Sequence, residues 1–283
     1  MSTEIYQPPG CKKLSEITEI PQMRVGIQGY GGTGKTWTAL TFPNPIVANL
    51  DRGLGAHTGR ADVIEIPFYN EAYCRSIMPN YNTGKLKDLL QIWLSKEGRK
   101  LSPNQTLVWD GNTSMQNAYH RWYADNRVFT TNGKEDDFAQ WRLKTNFYAE
   151  IIEQLKFLPC HVVYIAHEAE KKEKDGSYRG KIRPLLTGQF ADELLNHFTS
   201  WFRQHAAEKP ADLEKYDAAK LAEWGFTDKK EFKAMLDSYP RSTVYYWQTS
   251  SSDECDCKCS DLVNFPSKLP ASYEWFKKYQ KHK

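Results

Sequence analysis

The stretch Met23-Arg24-Val25-Gly26-Ile27-Gln28-Gly29-Tyr30-Gly31-Gly32-Thr33-Gly34-Lys35-Thr36 decides the fold. Its first five residues read as a short buried strand, and its last eight satisfy the G-x-x-x-x-G-K-[ST] pattern in full. Glycine lets backbone N–H groups curl around phosphate oxygens with no Cβ in the way. Gly29, Gly31, Gly32, Thr33 and Gly34 are therefore candidates for the cradle. Lys35 is placed to neutralise the β- and γ-phosphates, Thr36 to offer a hydroxyl to Mg²⁺, and Trp37 to follow at the nucleotide. Lys35–Phe42 reads as a helix stopped by Pro43, with its amino terminus aimed at the same anion. Strand, loop and helix in that order predict a nucleoside triphosphate site. No guanine-reading N-K-x-D motif stands at a suitable place, so ATP with Mg²⁺ is the expected cofactor pair.

Outward from the loop, strands alternate with helices. Pro45–Leu50 reads as a strand ending at Asp51, Val63–Ile66 as a short one, Leu107–Asp110 as a third apolar strand and His161–His167 as the next. Helical character runs over Leu86–Leu94. An amphipathic helix is predicted from Asp137 to Leu158, with Phe138, Trp141, Tyr148, Ile151, Ile152, Leu155 and Leu158 on one stripe. Residues 111–135 read as polar, aromatic and irregular. This alternation predicts an α/β fold, a mostly parallel twisted sheet with helices on both faces. Composition divides the chain further: a loose leader over 1–21, the core over 22–205, a helical insertion over 206–240 broken near Gly225, and a strand, turn and basic tail over 241–283 that complete the core.

The 283 residues carry a net charge of +3, which is too small to establish a nucleic-acid partner without local patches. No run approaches a membrane span, and residues 1–10 are too polar for a secretory signal, so the expected location is the cytoplasm with no membrane partner. Of the six cysteines, Cys255, Cys257 and Cys259 cluster. Their C-x-C-x-C spacing lacks the C-x₂-C pairs of a zinc site, and they read as thiols at a hairpin tip.

Phosphate chemistry needs more than a loop. Asp110, a carboxylate at the end of an apolar strand, fits the second metal-site element that holds Mg²⁺, with Thr36 as its partner. Many enzymes of this type place a Glu directly after that Asp; here the position is Gly111. Asp51 and Glu168 remain as candidates for activating water. His167, at the tip of its strand, is a candidate sensor of the γ-phosphate.

The run Gly29–Thr36, the strand-end Asp51, the strand Leu107–Asp110, and His161-Val162-Val163-Tyr164-Ile165-Ala166-His167-Glu168 followed by Pro184-Leu185-Leu186-Thr187-Gly188 resemble bacteriophage RecA-like ATPases of the single-strand annealing and recombinase type. The resemblance spans about residues 22–205. It implies a RecA-type strand order, with the loop strand beside the strand of His167, and places His167 between Lys35 and Asp110. It also implies ATPase activity, single-stranded DNA binding, self-assembly into a ring or filament, contact with a phage or host single-strand-binding protein, and a role in homologous recombination in the host cytoplasm. Recombinases carry an Asp-x-Glu after the second strand. Here Asp51-Arg52-Gly53 lacks the Glu, which predicts slow turnover.

In such proteins the loops after the third and fourth strands face DNA. The first corresponds to 111–135, with Arg121 and Arg127 beside His120, Trp122 and Tyr123. The second corresponds to 169–184, with Lys171, Lys172, Lys174, Tyr178, Arg179, Lys181 and Arg183, a mixture suited to neutralising phosphates and stacking on bases. The competing functions are a P-loop helicase loader or packaging-type motor, and a nucleotide-gated adaptor with little hydrolysis.

Overall fold

A computed structural model describes residues 22–50, 52–169, 182–186, 193–239, 242–253 and 255–280. Ten strands form one sheet: β1 (Arg24–Gly29), β2 (Pro45–Asn49), β3 (Ile64–Pro67), β4 (Thr106–Asp110), β5 (His161–Ala169), β6 (Arg183–Pro184), β7 (Ser200–Glu208), β8 (Thr243–Gln248), β9 (Lys258–Cys259) and β10 (Lys268–Pro270). Their order is β10-β8-β7-β1-β5-β4-β2-β3, with β6 beside β5 and β9 beside β7. Pairings from β7 through β3 are parallel, and β8, β10, β6 and β9 run antiparallel to their neighbours. The loop strand β1 thus lies between β5 and β7, and β5 separates it from β4, as the RecA-type order requires.

The strands β1, β2 and β4 are buried along nearly their whole length, and alternation across the sheet feeds two cores. Leu107, Trp109, Tyr164, Ala166 and Trp201 point into one, which receives α3 (Leu86–Lys96), α4 (Asn112–Asp125) and α5 (Asp137–Lys156). Val108, Val163, Ile165 and Phe202 point into the other, with α1 (Lys35–Ala39) and the carboxyl-terminal α8 (Tyr273–Tyr279). A short α2 (Glu71–Ile77), capped by Asn70, supports the β3 edge. Each large side chain in these cores contributes roughly 1.5–3 kcal/mol relative to exposure, which makes the two-faced sheet the dominant stabilising feature.

The segment between β7 and β8 carries α6 (Ala218–Glu223) and α7 (Lys229–Ser238), started by the side chains of Asp217 and Asp228. Together with Trp224, Phe226, Tyr239 and Val244 they form a third, smaller core. The two short helices and the break at Gly225 match the sequence expectation.

Two expectations need correction. Residues 111–135 are not irregular throughout: 112–125 form α4, which buries Met115, Ala118, Tyr119 and Tyr123 against the sheet. The stripe of α5 is also narrower than its apolar residues suggest. Phe147, Tyr148, Ile151, Ile152 and Leu155 are buried, whereas Phe138 is 71% exposed and stacks on the exposed Trp141 at the helix's amino-terminal end.

Candidate nucleotide site

Because β1, β2, β4, β5 and β7 are parallel, the segments that follow them leave at one edge of the sheet, where ligands of open α/β sheets bind. A cavity of about 560 Å³ opens at that edge, lined by Gly32, Gly34, Lys35, Thr36, Asp110 and His167 among others. These residues come from three strand ends and the helix α1.

The loop is held by its own bonds and by β7. The Thr33 hydroxyl donates to the Tyr30 carbonyl at 2.9 Å, and Gln204 Nε2 donates to the Thr33 carbonyl at 2.6 Å. Trp247 Nε1 fixes Gln204 from the other side at 3.0 Å. Gly34 has φ +75°, a left-handed conformation that L side chains resist, and a Cβ there would stand 2.6 Å from the Tyr245 ring.

Lys35 is 5% exposed, and its ammonium donates to the carbonyls of Gly29 at 2.8 Å and Tyr30 at 2.7 Å. Burial pushes its pKa down to about 8, against the opposing pull of Asp110 and Glu168. A buried ammonium whose hydrogen bonds go to backbone carbonyls is an arrangement that gains when a polyanion arrives. The Thr36 hydroxyl donates to Asp110 Oδ2 at 2.6 Å. Two hard oxygen donors at that spacing suit Mg²⁺, which takes one or two protein oxygens and completes its shell with water and phosphate oxygens. The residues present therefore fit the metal, and Thr36 and Asp110 would hold it. When bound, Mg²⁺ would neutralise phosphate charge.

His167 and Glu168 are adjacent in sequence and project to opposite faces of β5. His167 pairs in register with Gly29 and lines the cavity, so the strand order does set it between the ends of β1 and β4. Glu168 lies on the face away from α1, in a bidentate pair with Arg203: Oε2 is 3.1 Å from Nε and Oε1 is 3.1 Å from Nη2. Their side chains are 1% and 8% exposed. That geometry makes Glu168 a tie between β5 and β7 and leaves it off the cavity wall, so the water-activating role considered for it has no support from its position.

Arg121 and Arg127 are exposed and are not among the residues that line the cavity, the first on α4 and the second just after it. Arg127 faces Glu135 at 3.8 Å. Arg183 is exposed on β6. Asp51, Lys171, Lys172, Lys174, Tyr178, Arg179 and Lys181 lie outside the described residues. In the cysteine cluster, Gln28 Nε2 donates to Cys255 Sγ at 3.0 Å and Cys259 Sγ donates to the Thr249 carbonyl at 3.0 Å.

Several cavity residues escaped the sequence reading. Ala56, His57, Thr58 and Arg60 reach the cavity from the turn after β2, and Thr243 and Tyr245 reach it from β8. Burial, with help from Arg60, lowers the pKa of His57 against the pull of Asp110. A usable signal was present for His57 and Arg60, since a segment leaving a parallel strand beside the loop strand's layer must approach the same edge. No comparable local signal marks Tyr245.

Residues 22–220, more than half of the chain, match a family model described as an AAA domain. No curated protein matches the sequence. None of the described helices is long and apolar enough to cross a membrane.

Proposed function

The chain belongs to the AAA-domain family of P-loop ATPases, and from that premise we propose that it is an ATP-binding, Mg²⁺-dependent ATPase of RecA-like type that binds single-stranded DNA and promotes annealing or homologous recombination, as a phage-encoded protein would. One observation supports the nucleotide half above all others: Lys35, Thr36 and Asp110 converge on one cavity, with the Thr36 hydroxyl 2.6 Å from the Asp110 carboxylate. In this reading Lys35 receives the β- and γ-phosphates. Thr36 and Asp110 take the metal, and His167 reports on the γ-phosphate from between Lys35 and Asp110.

The DNA half rests on the residue types that follow β4 and β5. Both strands run parallel to β1, so their carboxyl ends lie at the nucleotide edge of the sheet. The sequence 169–184 concentrates Lys and Arg around Tyr178, a composition suited to a single strand. Nucleotide occupancy and strand binding would then be coupled through β5, whose tip carries His167. Self-assembly into a ring or filament belongs to the same proposal, as does contact with a single-strand-binding protein. The test is fluorescence anisotropy of labelled single-stranded DNA at low salt. Binding that strengthens with Mg·ATP and weakens with salt supports the reading; no binding with Mg·ATP present removes the DNA half.

A second reading, the nucleotide-gated adaptor with little turnover, draws on the cavity wall. Among the described residues that line it, Asp110 is the single carboxylate, and it faces Thr36. A steady-state hydrolysis assay separates the readings: turnover stimulated by single-stranded DNA favours the first, and unstimulated, near-zero turnover with tight ATP binding favours the second.

A further inference from the structure

The cavity wall carries two chemically different groups of residues. Lys35, Thr36, Asp110 and His167 give its wall a polar, charged part, and Trp37 and Tyr245 give it two aromatic rings, with Thr243 on the same strand as Tyr245. Trp37 is half-buried on α1, two residues past the lysine, and Tyr245 is half-buried on β8. Their ring centroids lie 5.7 Å apart at 45°, so neither ring covers the other's face. Tyr239, which ends the helical insertion, braces both: its ring lies 5.4 Å from Trp37, and its hydroxyl donates to the Tyr245 carbonyl at 3.0 Å. Tyr239 itself is buried. Trp224, Phe226 and Phe232 of the insertion form the small core behind it, with Tyr216 packed against them.

We propose that Trp37 and Tyr245 form the seat for the purine base of the bound nucleoside triphosphate, with Tyr239 of the insertion as its brace. This rests on the reading that Gly29–Thr36 binds a triphosphate. A volume of about 560 Å³ falls in the ordinary range for a small-molecule site. A base is a flat π-surface, and half-exposed aromatic rings beside a phosphate site are the groups that gain most by covering it. A bicyclic base covers more ring area than a monocyclic one, so the seat favours purines. The arrangement also gives the insertion a role. Tyr239 touches both rings, and Tyr245 in turn lies against Gly34, so the aromatic pair adjoins the phosphate loop.

The experiment is isothermal titration calorimetry of the full chain with Mg·ATP, Mg·CTP and Mg·tripolyphosphate, on wild type, Trp37→Leu and Trp37→Phe. The seat predicts that wild type binds ATP about tenfold or more tighter than tripolyphosphate, and more tightly than CTP. Trp37→Leu should remove most of that advantage while leaving tripolyphosphate affinity unchanged, and Trp37→Phe should retain most of it. Equal loss of ATP and tripolyphosphate affinity in Trp37→Leu would mean that the ring only supports the loop, and the inference would fall. It would fall equally if ATP affinity were unchanged in Trp37→Leu, or if wild type bound ATP and tripolyphosphate alike; in both cases the phosphate reading would survive. Wild type that binds neither ligand defeats the phosphate reading itself and the base seat with it.

Discussion

Thr36 and Asp110 stand 74 positions apart in the chain and meet at 2.6 Å, hydroxyl to carboxylate. One lies in the first turn of the helix after the phosphate loop and the other ends β4, two strands away from β1. The meeting is a product of the strand order, since β5 brings β4 to a fixed distance from β1. If these oxygens hold Mg²⁺, Asp110→Ala and Thr36→Ala should each abolish the Mg²⁺ dependence of ATP binding and lower hydrolysis on the order of a hundredfold. Titrating ATP with and without Mg²⁺ and following phosphate release checks both. Full hydrolysis in Asp110→Ala would move the metal elsewhere.

Lys35 has a pH signature. Its folded-state pKa is about 8 against an ordinary 10.5, and burial is the main cause. Between these values the unfolded chain holds the proton and the folded chain does not, so stability rises with pH across that window and the cost of the buried charge is fully present below it. From pH 7.5 to 9.5 the wild type should gain about 2 kcal/mol over Lys35→Met. Urea unfolding of the two proteins at both pH values measures it. Parallel behaviour of the pair would show that Lys35 keeps its ordinary pKa.

Two glycines of the loop should differ in their tolerance of a methyl group. Both have positive φ, +79° at Gly32 and +75° at Gly34. A Cβ on Gly32 meets nothing within 4 Å, whereas one on Gly34 meets the Tyr245 ring at 2.6 Å. Gly32→Ala should cost about 1–2 kcal/mol from the backbone alone, and Gly34→Ala should cost more and also lose nucleotide affinity. Thermal unfolding and ATP titration of the two variants distinguish them, and equal losses would argue against the Tyr245 contact.

The phosphate loop, β1 to β5 and the two helices about Gly225 could be read from local residues, because each rests on short-range chemistry: glycine at special φ, continuous apolar runs and composition. The helix α4 could not, although Met115, Ala118, Tyr119 and Tyr123 recur at helical spacing. Its start at Gly111 has no side-chain cap, and His120 and Arg121 mask the stripe. In α5 the reverse held, as Phe138 and Trp141 fit the period but fall outside the buried stretch. The aromatic part of the cavity wall depends on register between distant strands. Tyr245 faces the loop because it pairs with Ala206 across β7 and β8, which no local pattern encodes. For Glu168 the side of the sheet mattered: strand alternation alone sets it opposite His167, and Arg203 then accounts for its burial.

Because the Arg203–Glu168 pair is almost fully buried, removing one partner takes the ion pair from a charge that water reaches poorly. Glu168→Ala or Arg203→Ala should destabilise the fold by about 3–5 kcal/mol. The double variant Glu168→Leu with Arg203→Met should recover much of that loss, which chemical denaturation of the three variants would show. A single variant as stable as wild type would mean that the pair is solvated in solution.

The central claim is that this chain binds a metal-bound triphosphate at Gly29–Thr36, and calorimetric titration of Mg·ATP into wild type and Lys35→Ala tests it most directly. The account predicts one site per chain in the wild type and affinity weaker by about a hundredfold or more in Lys35→Ala, since a buried charged contact to the phosphates is lost. Equal affinity in the two proteins, with both folded, would contradict it.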